Sequence, residues 1–155
     1  MPVTLDAWPA PGEFTLAGWH TYRMRDEATE GHDAVEMRFT AQDLRRVRRF
    51  VSSYAEGSLG KARTDGLVLA VNELATNSVR HGGGEGTLRI WTHEDVLVCE
   101  IQDAGHITDP RAGQTPPTPD QPSGRGLWVV NRLTDLVQLR SSPTGTVVRV
   151  HMRLT

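Results

Sequence analysis

The side chains best placed to do chemistry lie in residues 71–82, a stretch with the spacing of an amphipathic helix. At roughly 100° per residue, one narrow apolar stripe runs along this helix. The stripe comprises Leu67, Val71, Leu74 and Ser78. Glu73 and Asn77 are four residues apart, so they stack on one flank of the stripe, where a half-buried side chain still reaches a ligand. The helix alone leaves two interpretations open: ordinary boundary residues, or a polar pair that faces a ligand.

A second candidate follows the strand-like residues 96–101, which lead to Asp103 and Gly105. A carboxylate at the end of a buried strand can accept a hydrogen bond from the exocyclic amine of adenine. A glycine beside it lets the base approach the backbone without a side chain in the way. An Asp-x-Gly sequence is also common in turns, so this motif is weak by itself.

A third candidate opens a predicted helix over residues 124–133 and consists of Gly124, Arg125, Gly126 and Leu127. Backbone N–H groups at a helix start, with the positive end of the helix dipole, suit a phosphate group. Residues 106–123 precede this helix and contain five of the nine prolines, which predicts a lid. The sequence has no Gly-x-x-x-x-Gly-Lys-Ser/Thr loop and no Gly-x-Gly-x-x-Gly after a first strand, which disfavours both common nucleotide folds.

The order of the three motifs, over about residues 34–154, resembles the GHKL ATPase superfamily, whose Bergerat fold is shared by gyrase, histidine kinases and MutL. Residues 77–82 and 124–127 look most like the bacterial anti-sigma factor serine/threonine kinases. The resemblance implies that the protein binds ATP and Mg²⁺ and also binds a sigma factor. It further implies transfer of the γ-phosphoryl group to a serine or threonine of an anti-anti-sigma (STAS-type) protein.

The resemblance also implies a role for each matched residue. The asparagine that matches Asn77 holds Mg²⁺ against the phosphates, and an amide oxygen is a hard ligand that suits this ion. The glutamate that matches Glu73 is the catalytic base, and from its place one turn from Asn77 this side chain could either accept the hydroxyl proton or hold the water shell of the metal. The aspartate that matches Asp103, beside Gly105, recognises adenine. The glycine box, residues 124–127, contacts phosphate.

Three further residues have two interpretations each. His81 lies near the helical edge of Asn77 and either contacts the nucleotide or caps the helix. Arg111 in the lid and Arg125 either stabilise charge on the transferring phosphoryl group or are solvated. Ile107 stands where the family often has a second glycine, so lid motion is expected to differ.

The order of the elements is strand, helix, helix, strand pair, helix, strand pair. This order predicts an α+β protein of the Bergerat type, a two-layer sandwich with helices on one face of a mixed, mostly antiparallel sheet. Strands are expected near 35–39, 87–92, 96–101, 137–140 and 146–152, with helices near 44–54, 62–81 and 124–133. Residues 34–155 are interpreted as the ATP-binding kinase domain. Residues 1–33 are an arm or appendage whose segment 14–22 forms a short strand, docks through its aromatic side chains or stays a flexible tail.

The composition limits the protein class. The chain has 155 residues, 37% of them hydrophobic, which fits one domain with a real core. Its net charge of -2 gives no general attraction to nucleic acid or to an anionic membrane, so we expect neither as a direct partner. The single cysteine, Cys99, is expected to be a buried and inert thiol. No membrane span or signal peptide is evident, which predicts a cytoplasmic protein.

Other functions compete with the kinase hypothesis. The first is a nucleotide-binding interaction protein, an anti-sigma or partner-switch module without kinase turnover. The second is the catalytic domain of a histidine kinase, although no helical hairpin with a phosphoacceptor histidine precedes the domain. Four arginines on the first helix form either a solvated face or a surface for an acidic protein or nucleic acid: Arg45, Arg46, Arg48 and Arg49. The edge strand and this helix also suggest a homodimer.

Overall fold

The structure is a computed structural model, and it describes residues 34–105, 125–142 and 144–154. The arm (1–33), the lid (106–123) with Ile107 and Arg111, and Gly124 lie outside the described residues. The strands are β1 (Val35–Thr40), β2 (Glu85–His93), β3 (Val96–Asp103), β4 (Leu136–Ser142) and β5 (Gly145–Arg153). The helices are α1 (Leu44–Ala55), α2 (Lys61–His81) and α3 (Arg125–Leu133). Within this part of the chain, no helix is long and apolar enough to cross a membrane.

The five strands form one sheet in the order β1-β2-β3-β5-β4, and every neighbouring pair is antiparallel. The predicted α+β class is therefore confirmed, with a sheet that is antiparallel throughout. The strand pair predicted after the second helix is a β2–β3 hairpin that turns at Glu94 and Asp95. Glu94 has a φ of 54°, which a tight two-residue hairpin requires.

Alternation along the strands places the core between the sheet and the helices. Leu88 and Ile90 of β2 and Cys99 of β3 are fully buried there, together with Leu67 and Val71 of α2. Burial raises the pKa of the Cys99 thiol, so this cysteine is the inert core residue that the sequence predicted.

A capping box formed by Thr40 and Asp43 starts the helical layer. The Thr40 backbone N–H donates to Asp43 Oδ2 at 2.9 Å, which is the reciprocal bond of a capping box. This backbone hydrogen bond lowers the pKa of Asp43. A single turn of 3-10 helix, Ala41–Asp43, intervenes before α1.

The face of the sheet away from the helices, here called the outer face, carries a row of alternating charges. The register aligns one residue from each of the five strands in this row: Glu36, Arg89, Glu100, Arg149 and Gln138. Arg149 donates to Glu100 Oε2 from Nη2 at 2.8 Å and from Nε at 3.1 Å, and both side chains are buried. Arg89 Nη1 lies 4.0 Å from Glu100 Oε1. Cross-strand pairs of opposite charge thus link β2, β3 and β5.

His151, two residues after Arg149 on β5, extends this buried polar layer. His151 Nε2 and Gln138 Oε1 lie 2.7 Å apart, and both side chains are almost fully buried. Burial and the neighbouring charge of Arg149 lower the pKa of His151 to about 3. The imidazole is therefore neutral in the folded protein near pH 7.

We expect Arg149→Met to lower the free energy of unfolding by about 3 to 5 kcal/mol, because it leaves the Glu100 carboxylate buried without its main partner. The double variant Arg149→Met/Glu100→Leu should recover most of this loss, since no buried charge remains unpaired. Urea denaturation of both variants measures the difference. Lys61→Met is the control: it removes a pair exposed to solvent, Lys61 with Asp65 at 3.6 Å, and should cost less than about 1 kcal/mol. A double variant no more stable than Arg149→Met would contradict this account.

Candidate functional site

Asp103 is the best-defined residue of the candidate site. It ends β3, next to the last turn of α2, and both of its carboxylate oxygens accept hydrogen bonds. Ser78 Oγ donates to Oδ2 at 2.6 Å, and the Gly105 backbone N–H donates to Oδ1 at 2.7 Å. These two bonds set the direction of the carboxylate and join the end of α2 to the end of β3.

Gly82 lies against the same carboxylate, just beyond α2. A Cβ atom at this position would lie 2.3 Å from Asp103 Cγ, which is closer than atoms pack. The backbone of Gly82 has a φ of -109°, which any residue adopts, so the glycine is required by this close approach and not by its conformation. Gly83 and Gly84, with φ values of 95° and 87°, are the residues that use the left-handed region after the helix.

Gly105 is held from both sides of the site. A Cβ atom here would lie 2.7 Å from the carbonyl oxygen of His81, so the chain after β3 passes directly beside the end of α2. The Gly105 carbonyl accepts a hydrogen bond from Thr146 Oγ1 at 2.8 Å. The register pairs Thr146 with Asp103 across β5 and β3. The central strands therefore fix the backbone around the carboxylate.

Glu73 and Asn77 lie on α2 as the helical spacing predicted, and both side chains are half-buried. Asn77 is adjacent to Ser78, the residue that binds Asp103, and Glu73 lies one turn earlier. Within the described part of the chain, neither side chain forms a hydrogen bond or an ion pair. The roles of the two residues, taken from the resemblance, stay predictions.

The remaining predicted site residues are placed less fully. His81 ends α2 and is exposed, and its backbone carbonyl, rather than its ring, is what lies beside Gly105. Arg125 begins α3, and the backbone of Gly126 and Leu127 continues the helix as predicted. Arg111 and Gly124 lie outside the described residues.

Sequence reasoning missed the contributions of two residues. Ser78 was assigned to the apolar stripe, but it is a buried hydrogen-bond donor to Asp103. A polar side chain at a core position needs a partner, and that rule could have singled it out. The run Gly82–Gly84 predicts a helix end and either a close approach of the backbone to a ligand or room for a lid, but it does not predict contact with Asp103. No local pattern shows that the missing Cβ of Gly82 makes room for a carboxylate 21 residues later in the chain.

This arrangement suits a flat ligand with an amine at its edge. Each carboxylate oxygen of Asp103 can accept a second hydrogen bond beyond the one it already has. Gly82 and Gly105 present backbone without a side chain next to it. The geometry therefore fits the edge of a purine base that donates to the carboxylate.

A comparison with protein families agrees with this fold. The family of the histidine kinase-like ATPase domain matches residues 37–152 of the chain. The protein is therefore a member of the histidine kinase-like (GHKL) ATPase family, a class of ATP-binding, kinase-type domains. A search of curated proteins gives no match.

Solved structures show the same fold. The RsbU and RsbW domains of Rv1364c from Mycobacterium tuberculosis are similar with a TM-score of 0.56 and 16% identity, covering 77% of this chain and 32% of that one. The histidine kinase domain of the blue-light activated histidine kinase EL346 from Erythrobacter litoralis is similar with a TM-score of 0.51 and 16% identity, covering 73% of this chain and 60% of that one. The chain spans less than two thirds of the length of either structure.

We expect Gly82→Ala to displace the Asp103 carboxylate, because the added methyl group occupies its place. The Gly105 amide then loses its acceptor, and its hydrogen exchange should accelerate at least about tenfold, equivalent to ~1.4 kcal/mol. Amide exchange followed by NMR measures this rate. Gly57→Ala is the matched control, since a Cβ atom there has nothing within 4 Å. Unchanged protection of the Gly105 amide in Gly82→Ala would show that the close approach does not constrain the site.

Proposed function

We propose that the protein is an ATP-dependent serine/threonine protein kinase of the anti-sigma type. It binds a sigma factor and phosphorylates an anti-anti-sigma, STAS-type antagonist. Membership of the GHKL ATPase family supports nucleotide binding and kinase-type chemistry. The likeness of the fold to a structure that contains an RsbW domain, together with the motifs at residues 77–82 and 124–127, supports the anti-sigma type.

The observation that carries the nucleotide site is the orientation of Asp103 by Ser78 and Gly105. In the proposed complex, the exocyclic amine of adenine donates to the carboxylate. A base that lacks this amine leaves the carboxylate oxygens without that donor, which costs binding free energy. We therefore propose that the site prefers adenine nucleotides to guanine nucleotides.

Asn77 is the proposed protein ligand of Mg²⁺. Its amide oxygen is a neutral, hard donor, and Mg²⁺ commonly takes few protein ligands because it keeps several waters and binds phosphate oxygens. The side chain is half-buried next to Ser78, so its position is tied to that of the adenine site. Backbone N–H groups at the N-terminus of α3 would hold the phosphates, in the segment Arg125, Gly126 and Leu127. Further proposed nucleotide contacts are Gly124, Arg111 and His81.

Glu73 is the proposed general base. The serine or threonine hydroxyl of the antagonist attacks the γ-phosphorus, Glu73 accepts the hydroxyl proton, and the bond to the β-γ bridging oxygen breaks to release ADP. Glu73 lies one helical turn from Asn77 on the same flank of α2, so base and metal ligand share one rigid element. That rigidity favours positioning, which is the main protein contribution to phosphoryl transfer.

The exposed surface of α1 is the proposed contact for the protein partners. Arg48 donates to Asn72 on α2 at 2.9 Å, and Arg46 pairs with Asp43 at 3.2 Å, so both are engaged within the chain. Arg45 and Arg49 are exposed and lie one turn apart. Strand β1 lies next to α1 in sequence and forms one edge of the sheet, so this region is also the proposed surface for a homodimer.

We expect Asn77→Ala to weaken ATP binding at least about tenfold in the presence of Mg²⁺, or ~1.4 kcal/mol, and to have little effect without it. Isothermal titration calorimetry with and without Mg²⁺ measures both affinities. Asn72→Ala is the matched control, because Asn72 also lies on α2 but accepts its hydrogen bond from Arg48 of α1. If the folded wild-type protein binds no ATP, the kinase proposal is wrong.

We expect Glu73→Gln to lower the rate of phosphate transfer at least about a hundredfold, because the amide cannot accept the hydroxyl proton. Transfer of radiolabelled phosphate to a candidate STAS-type protein measures the rate. ATP affinity should stay unchanged, which separates a loss of chemistry from a loss of binding. A wild-type protein that binds ATP and forms the partner complex but transfers no phosphate would instead identify an interaction module without kinase turnover.

We expect Arg45→Glu and Arg49→Glu each to reduce the affinity for a protein partner with an acidic surface, the sigma factor or the STAS-type antagonist, at least about tenfold. Each reversal replaces attraction with repulsion. ATP affinity should not change. Lys61→Glu reverses one exposed charge at the start of α2 and serves as the matched control. Titration of purified partner by fluorescence anisotropy checks the effect, and unchanged partner affinity in both variants would remove α1 from the interface.

A further inference from the structure

The outer face of the sheet carries a buried apolar cluster that the helices do not cover. Trp91 of β2 and Val96 and Val98 of β3 form this cluster, with exposed fractions of 3%, 8% and 5%. The helices α1, α2 and α3 contribute to the core on the opposite face. Among the described residues, Ala34 is the only partly buried hydrophobic residue packed against this cluster. One face of a single sheet is buried only when another layer lies over it.

The buried polar side chains of the outer face point to the same conclusion. Glu100, Arg149 and Gln138 are at most 5% exposed, although charged residues on the free face of an antiparallel sheet are normally solvated. The Arg149 and Arg89 guanidinium groups lie 5.5 Å and 5.8 Å from the centre of the Trp91 ring. Gln138 Nε2 is buried, and no described residue accepts a hydrogen bond from it. A covering segment with backbone carbonyls would supply that acceptor.

We propose that residues 1–33 of the same chain are the layer that covers the outer face, with aromatic side chains of the arm against the Trp91 cluster. Ala34 is the first described residue, and it already packs against this cluster. The arm therefore joins the domain at the surface it is proposed to cover, so little chain is needed to reach it.

The composition and the length of the arm fit this role. It contains four aromatic side chains that a soluble tail would not need: Trp8, Phe14, Trp19 and Tyr22. Five strands about 4.8 Å apart make a sheet roughly 20 Å wide, and an extended chain covers about 3.3 Å per residue. Fewer than ten residues could therefore cross the whole sheet.

A layer over the outer face would also affect the candidate site, because both involve strand β3. Glu100 and Asp103 belong to the same central strand, β3, which is paired on both sides. A layer that covers Glu100 and Val98 would shield the charge row that links β3 to its neighbours. The arm would then stabilise the strand that carries Asp103, which gives this appendage a structural role independent of ATP or of any partner.

The accessibility of Trp91 tests the proposal in the full-length chain. The parent variant carries Trp8→Phe, Trp19→Phe and Trp128→Phe, which leaves Trp91 as the only indole and keeps the arm aromatic. We expect its fluorescence to be blue-shifted and poorly quenched by acrylamide. A second variant keeps Trp128→Phe but carries Trp8→Ser, Phe14→Ser, Trp19→Ser and Tyr22→Ser, and its emission should shift to the red with quenching increased several-fold. Circular dichroism checks that both variants are folded.

A matched control changes the arm without touching its aromatic side chains. Serine at positions 4, 15 and 21, in place of Thr4, Thr15 and Thr21, should leave the shielding of Trp91 intact. Three results would overturn the proposal: strong quenching of Trp91 in the parent, unchanged shielding in the folded serine variant, or shielding that is lost when the parent is diluted. The last result would identify a second copy of the chain as the covering layer. None of these readouts depends on nucleotide binding, so the proposal and the kinase function can fail separately.

Discussion

The candidate site depends on one carboxylate that is fixed between two elements. Asp103 accepts from Ser78 of α2 and from the backbone of Gly105, and Gly82 lacks the side chain that would collide with it. These contacts couple the end of the central helix to the end of the central strand. Because hydrogen bonds to an oriented acceptor are directional, the carboxylate presents its remaining lone pairs in a defined direction. A ligand that meets it need not reorganise the site.

On the outer face of the sheet, paired charges hold in place the strand that carries Asp103. The outer-face row places Glu100 of β3 between Arg89 of β2 and Arg149 of β5, three residues before Asp103. Such a buried row is costly to desolvate and is stable only when its members stay paired, so the register of these three strands is strongly specified. The strand that carries Asp103 therefore has a unique alignment with both neighbours.

The fold and the family of this protein are established, whereas its particular function is a proposal. The antiparallel sheet with one helical layer and the match over residues 37–152 establish a GHKL ATPase domain. The similar solved structures include an RsbW-containing protein and a histidine kinase, and identity of 16% to both means that they share the fold only. The proposed serine/threonine specificity and sigma-factor partners thus rest on the local motifs at residues 77–82 and 124–127.

Periodicity alone determined the element order, the buried stripe of α2 and the buried side of the strand that carries Cys99, because the spacing of apolar residues along the chain decides which side chains share a face. The half-buried positions of Glu73 and Asn77 followed from the same helical spacing. Only the tertiary structure showed that Ser78 binds Asp103, that Gly82 makes room for it, and that the strands align a row of charges on the outer face. These features join residues that are distant in sequence, so their geometry depends on how the strands and helices pack together.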